Sequence, residues 1–235
     1  MEESTTTAGN GTYAAELRNV CKEYQMGGGT VRAVSDVSLT IEAGEFTAII
    51  GPSGSGKSTL LDILGGIARP SSGAVFINGQ DISNLSDGEL SAIRARRVGF
   101  VFQNYSLIDV LNAYENIEYP LMLLKRSESE RRKRVSEMLE RVGLERFAKH
   151  RPAELSGGQC QRVAIARALA AEPTFVLADE PTANLDSEMG ASIMDLMIDL
   201  NRTVGTTFIF ASHDPALVER TRKVVRIKDG KIVQS

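Results

Sequence analysis

The feature that most constrains this chain is an octapeptide, Gly51-Pro52-Ser53-Gly54-Ser55-Gly56-Lys57-Ser58, with an apolar run over 45–50 before it and an apolar-periodic segment over 57–65 after it. This is the GxxxxGK[ST] pattern in a strand, loop, helix setting. Glycines at these spacings let consecutive backbone N–H groups turn inward on phosphate oxygens, and the following helix adds the positive end of its dipole. Lys57 then supplies charge at the β and γ phosphates, and the Ser58 hydroxyl is a ligand for Mg²⁺. A Gly/Ser-rich turn that merely contains a lysine would not require both flanks to agree. Nucleotide contacts are therefore expected from Gly51, Ser53, Gly54, Ser55, Gly56, Lys57, Ser58 and Thr59.

Phe175-Val176-Leu177-Ala178-Asp179-Glu180 is an apolar strand that ends in two carboxylates. Side chains alternate along a strand, so the pair diverges and each acid serves a different atom. Asp179 is placed to hold Mg²⁺, directly or through water, and Glu180 to orient and deprotonate an attacking water. In isolation such a pair reads as solvated strand-end acids; the phosphate loop upstream changes the reading.

The rest of the chain frames these segments. Residues 13–20 and 31–41 are β-branched with polar alternation around the turn Gly27-Gly28-Gly29, which predicts an antiparallel pair. A further strand is expected at 74–77, before Asn78-Gly79. Helical spacing then dominates over 87–94, 113–124, 129–142 and 158–171, interrupted by a strand at 98–102 and by loops around Pro120 and Pro152. Strands at 175–178, 207–211 and 224–227 alternate with helices at 188–202 and 215–220, the pattern of a parallel sheet covered on both faces. The expected organisation is a flexible tail over 1–12 and a single domain over 13–235, with a helical subdomain at about 87–171 inserted in it.

Composition narrows the partners. The 235 residues carry a formal net charge of −3, which gives no basic field for nucleic acid. Cys21 and Cys160 form neither a CxxC pair nor a ligand cluster, so a reducing compartment is expected. The opening MEESTTTAGNGT is acidic and polar, unlike a secretory signal. No stretch approaches the ~18 uninterrupted apolar residues of a membrane-spanning helix, so a membrane role would come through a partner.

Leu155-Ser156-Gly157-Gly158-Gln159 opens an apolar-periodic helix that continues through Arg162. On its own this is a serine cap followed by glycines. Exposed N–H groups beside a hydroxyl also make an anion site, and the chain holds no second phosphate loop to fill it.

With these segments the chain resembles the ABC transporter ATPases, whose signature LSGGQ stands at 155–159, and the resemblance covers nearly all of it. It implies an α/β, P-loop NTPase (RecA-like) fold: a parallel-sheet core with an antiparallel β subdomain and an inserted α-helical subdomain. It implies an ATP hydrolase using ATP and Mg²⁺. It also implies that two copies pair head to tail, each ATP lying between the phosphate loop of one and Ser156, Gly157, Gly158 and Gln159 of the other. Residue by residue, the resemblance makes Tyr24 the aromatic stacked on adenine and Gln103 the group that reaches Mg²⁺ and the water. Ala183-Asn184-Leu185-Asp186 becomes the D-loop, with Asp186 in the nucleotide-binding set, and His213 the switch histidine at the γ-phosphate. Lys57, Gln103, Glu180 and His213 are then the catalytic groups, and Ser58, Gln103 and Asp179 the metal ligands. Taken alone, Tyr24 reads as a strand-edge aromatic, Gln103 as a strand end, and His213 as a cap before Asp214-Pro215.

Within the family, Leu64-Gly65-Gly66, the run VGFVFQ at 98–103, Ala113-Tyr114-Glu115-Asn116, His150-Arg151-Pro152 and LADEPT at 177–182 are similar to the lipoprotein-releasing, macrolide-exporting and cell-division type. Cys160, where a polar residue is usual, and Ala183, where glycine is common, depart from that pattern. The resemblance implies integral membrane permease subunits as partners and a peripheral position on the cytoplasmic face of the inner membrane. It places a groove for the partners' coupling helices at 104–120, where Leu107, Ile108, Val110 and Leu111 are apolar for a surface; core packing is the alternative. The basic run Arg131-Arg132-Lys133-Arg134 has Glu128 four before Arg132 and Glu130 four before Arg134, the pattern of a solvated, ion-paired helix. An ATPase doing mechanical work on a cell-envelope or division partner fits the same residues. A DNA-maintenance ATPase would need a long coiled coil between phosphate loop and signature, and no sustained heptads occur there. A nucleotide-binding scaffold without hydrolysis would have no use for Glu180 and His213.

Overall fold

The computed structural model describes residues 13–212, 218 and 220–234. The predicted tail at 1–12, His213 and most of the predicted helix at 215–220 lie outside the described residues.

Two sheets build the molecule. Strands β1 (Tyr13–Met26) and β2 (Gly29–Glu42) form a long antiparallel pair. They outrun the predicted strands because main-chain pairing continues to Met26 and Gly29 through exposed ends, where no apolar alternation marks it. Strand β3 (Phe46–Ile50) leads into the phosphate loop and helix α1 (Lys57–Leu64), after which β4 (Ser72–Ile77) and the two-residue β5 (Gln80–Asp81) return to the first sheet, in the order β2-β1-β4-β5.

Helix α2 (Asp87–Arg97) runs into β6 (Val98–Val101), followed by α3 (Ala113–Leu123), α4 (Glu128–Arg141) and α5 (Gly157–Ala170). Strand β7 (Phe175–Asp179), helix α6 (Ser187–Val204), strand β8 (Thr207–Ser212) and the hairpin of β9 (Lys223–Lys228) and β10 (Lys231–Gln234) complete the chain. The second sheet has six strands in the order β10-β9-β3-β8-β7-β6, parallel except at the β10 edge. Strand β6, in the middle of the helix-rich stretch, is the other edge of this sheet.

Its central strands are buried on both faces, which is why they read as continuous apolar runs. Phe46, Ala48, Val176, Ala178, Phe208 and Phe210 point to one face, where they pack with Ile117, Val135, Met138, Ile165 and Met194 from the helices α3 to α6. Ile49, Phe175, Leu177, Ile209 and Ala211 point to the other, against Leu60, Ile63 and Leu64 of α1 and the inner face of the antiparallel sheet. Period-two alternation thus sorts each strand between two cores.

Two local expectations need correction. Pro120 sits inside α3 rather than in a loop, because Ile117 and Leu121 bury the helix on either side of it. That packing outweighs the hydrogen bond a proline cannot donate. In the basic run, Arg132 pairs with Glu128 as predicted, but Glu130 caps Ser127 and meets Arg126. Arg134 pairs instead with Glu137 and donates to the carbonyls of Leu169 and Ala170.

Candidate functional site

The flagged segments converge at the carboxyl ends of β3, β6 and β7, the position where open α/β sheets take their ligands. The loop 51–56 leans on backbone from elsewhere in the chain. A Cβ on Gly51 would lie 2.2 Å from the carbonyl oxygen of Ile227, and one on Gly56 2.4 Å from that of Ala33. Gly56 also has a φ of 103°, which opens α1 in a conformation side chains rarely adopt. The Gly230 N–H donates to the Ser55 carbonyl at 3.0 Å, so the β9–β10 turn braces the loop from behind.

Lys57 is only 8% exposed, and its ammonium donates to the carbonyls of Gly51 at 2.8 Å and Pro52 at 3.1 Å. The cation is thereby held across the mouth of the loop. A cleft of about 680 Å³ opens beside it, lined by Ala33, Pro52, Ser53, Gly54, Gly56, Lys57, Ser58, Thr59, Gln103, Asp179, Glu180 and Ala183. The structure therefore brings together the loop, Gln103 and both carboxylates, which were predicted from three separate stretches. Ser55 is outside that lining, its buried hydroxyl 2.7 Å from where a Cβ on Gly51 would stand.

The backbone at Glu180 is left-handed, with φ 48°, and its N–H donates to the Ala211 carbonyl at 3.0 Å. That bond ties the end of β7 to β8, and the left-handed φ ends the strand at Asp179. Negative charge is concentrated nearby: burial, and then the Asp179 carboxylate, push the Asp62 carboxyl of α1 above the ordinary range. Among the described residues no cluster of three or more His, Cys, Asp or Glu side chains could hold a metal alone. A hydroxyl, one carboxylate and one amide at a phosphate site are instead the sparse oxygen set that Mg²⁺ shares with a nucleotide.

Other expected residues lie elsewhere. Tyr24 stands half-exposed on β1 opposite Val31, with the Lys22 ammonium 4.9 Å from its ring centre, and is not part of the cleft lining. Ser156, Gly157, Gly158 and Gln159 are also outside it. Ser156 caps α5, its hydroxyl oxygen accepting from the Gln159 N–H at 3.3 Å while the Gln159 Oε1 accepts from the Ser156 N–H at 2.8 Å. Asp186 caps α6 by accepting from the Met189 N–H at 2.8 Å. Asn184 donates to the Gln103 carbonyl and the Asn104 Oδ1, both at 3.0 Å, so its loop is fastened to the segment after β6. Sequence reasoning did not find Ala33, Asp62 or that bond: each depends on contacts between residues far apart in the chain.

A phosphate loop after the first core strand, a carboxylate pair at the end of another and a glycine-rich cap on a separate helix define a nucleotide-binding α/β cassette. The family model described as ABC transporter matches residues 34–183. A Thermotoga maritima protein named as an uncharacterized ABC transporter ATP-binding protein is 48% identical over 217 residues, 92% of each chain. MJ0796 of Methanocaldococcus jannaschii, with the same kind of name, is 48% identical over 221 residues, 92% of this chain and 94% of that one. A solved dimeric structure of MJ0796, described as a post-hydrolysis state bound to ADP and Pi, superposes with a TM-score of 0.85 at 46% identity, covering 94% of this chain and 97% of that one. The macrolide export ATP-binding/permease protein MacB of Sodalis glossinidius is 45% identical over 222 residues, which are 94% of this chain but 34% of MacB. The chain belongs to the ABC transporter family and is an ATP-hydrolysing cassette of that family, with a macrolide exporter among its relatives as the subgroup motifs implied.

Proposed function

We propose that this cassette powers conformational change in separate membrane subunits by closing and opening as a head-to-tail dimer around ATP. The observation that carries this reading is the position of the signature. Ser156 and Gly157 are exposed at the start of α5, outside the lining of the chain's own phosphate cleft, and the Ser156 hydroxyl proton is not used in the cap. A second copy's nucleotide is the anion such a helix start would meet, and the dimeric structure of MJ0796 supports it.

In this reading Lys57 and the loop N–H groups hold the β and γ phosphates, and Ser58, Asp179 and Gln103 hold Mg²⁺, which neutralises charge on the transferred phosphoryl group. Glu180, which lines the cleft, takes the proton of the attacking water. The partner's signature completes the cage, and His213 is assigned the γ-phosphate as well. Tyr24 is assigned adenine; its exposed ring leaves a face for stacking.

Among the described residues no helix is long and apolar enough to cross a membrane, and we assign the chain a peripheral place on the cytoplasmic face. Support for membrane partners comes from the surface after Gln103, where Val110 is 73% exposed and Met122 and Leu123 of α3 are 53% and 59% exposed. Of the four apolar residues expected to line that groove, Leu107 packs against the core and Ile108 and Leu111 are half-buried, which leaves Val110 as the open one.

Glu180→Gln removes the base without removing a phosphate ligand. The variant is expected to bind ATP and elute as a dimer in size-exclusion chromatography with light scattering, with hydrolysis reduced at least about a hundredfold. A variant that hydrolyses ATP at the parent rate, or stays monomeric with ATP bound, would contradict the proposal.

A further inference from the structure

Helix α5 carries Ser156 at its start, and two polar side chains further along it grip the turns that follow Glu180 and Gln103. Gln161 is fully buried and donates its Nε2–H to the Pro181 carbonyl at 2.6 Å. A carbonyl only accepts, so this contact fixes which end of the amide faces it. Arg167 extends from the same helix and donates to the carbonyls of Tyr105 at 3.0 Å and Ser106 at 2.7 Å. No carboxylate pairs with it among the described residues, and burial pulls its guanidinium below the usual range. A partly buried charge is thus committed to two backbone oxygens.

Those oxygens belong to an unusual piece of chain. Tyr105 and Ser106 are successive non-glycine residues with φ of 58° and 48°, beginning two positions after Gln103. Glu180, just before Pro181, has a φ of 48°. Such conformations persist only where the surroundings impose them. The Tyr105 hydroxyl also fills the space beside Gly157, 2.8 Å from where a Cβ would stand. One 14-residue helix therefore touches the signature, the turn after Gln103 and the turn after Glu180.

We propose that Gln161 and Arg167 are positioning residues for hydrolysis, holding the turns that aim Glu180 and Gln103 and passing to them the seating of Ser156 on the partner copy's nucleotide. This rests on the composite-site reading above. A rigid helix that meets one nucleotide at its cap and braces the machinery for the other lets engagement of a chain's own signature speed hydrolysis at its own loop without being required for it.

Arg167→Met and Gln161→Met remove the donors while keeping apolar volume. Steady-state hydrolysis, affinity for a non-hydrolysable ATP analogue and the unfolding midpoint are measured for each. The expected result is a kcat lower by about tenfold or more, with analogue affinity within about twofold of the parent. Arg167→Lys, which keeps the charge but gathers its donors on one nitrogen, should recover part of the loss, and it decides the matter if the methionine variant does not fold. A kcat within about twofold of the parent in both methionine variants, or a loss matched by equal loss of analogue affinity, overturns the proposal. Glu180→Gln, assayed in parallel, separates the two levels: if it hydrolyses normally, the catalytic reading fails whatever the helix contacts do.

Discussion

At Gly51 a single methyl group would run into the carbonyl of Ile227, nearly 180 positions further along the chain, and at Gly56 into that of Ala33. The spacing of these glycines was legible in the sequence, because the phosphate loop is a local device. The wall behind them was not, since nothing in a linear pattern tells which strand closes on the loop. Asp62 shows the same limit. Nothing in the linear pattern singled it out, and only the fold sets it near Asp179. Its folded carboxyl holds the proton to higher pH than its ordinary 3.8. As pH rises past that value the unfolded chain ionises first, so this position removes stability from there upward; below it both states are protonated and the cost vanishes. Asp62→Asn is accordingly expected to raise the unfolding midpoint of the nucleotide-free protein at pH 7 and to make no difference near about pH 3. A variant no more stable than the parent at pH 7 would contradict that assignment.

Among the elements, the central strands were the easiest to read and the ends of the others the hardest. Strands β3, β7 and β8 are apolar throughout because both faces are covered. The distal ends of β1 and β2 and the two-residue β5 are held by main-chain pairing with little apolar signature, so their extents were misjudged or missed. Helices α2, α3, α4 and α5 each open on a capping box, formed by Ser86 with Glu89, Asn112 with Glu115, Ser127 with Glu130 and Ser156 with Gln159. Only the last was noticed, for its glycines. In the α4 box the side chains meet no part of the cleft, which makes Ser127 a clean probe of capping alone. Ser127→Ala should cost about 1 kcal/mol and lower the midpoint by a few degrees without altering ATP hydrolysis. A loss of hydrolysis on that substitution would show that α4 takes part in the reaction.

For the whole molecule, the decisive arrangement is the separation between the phosphate cleft and the exposed start of α5. The sequence signalled two anion sites and one phosphate loop, and the fold keeps them apart: the cleft lies at the strand ends, and Ser156 lies outside its lining. Which partner supplies the missing half is the central claim, and mixing two disabled chains tests it most directly. Lys57→Ala disables the loop and Ser156→Arg disables the signature, so each chain alone is expected to be inactive. In a mixed dimer one composite site regains an intact loop and an intact signature from different chains. Hydrolysis well above the sum of the two separate variants is predicted, rising with the product of their concentrations; activity that stays at the sum, whatever the mixing ratio, would contradict the head-to-tail site.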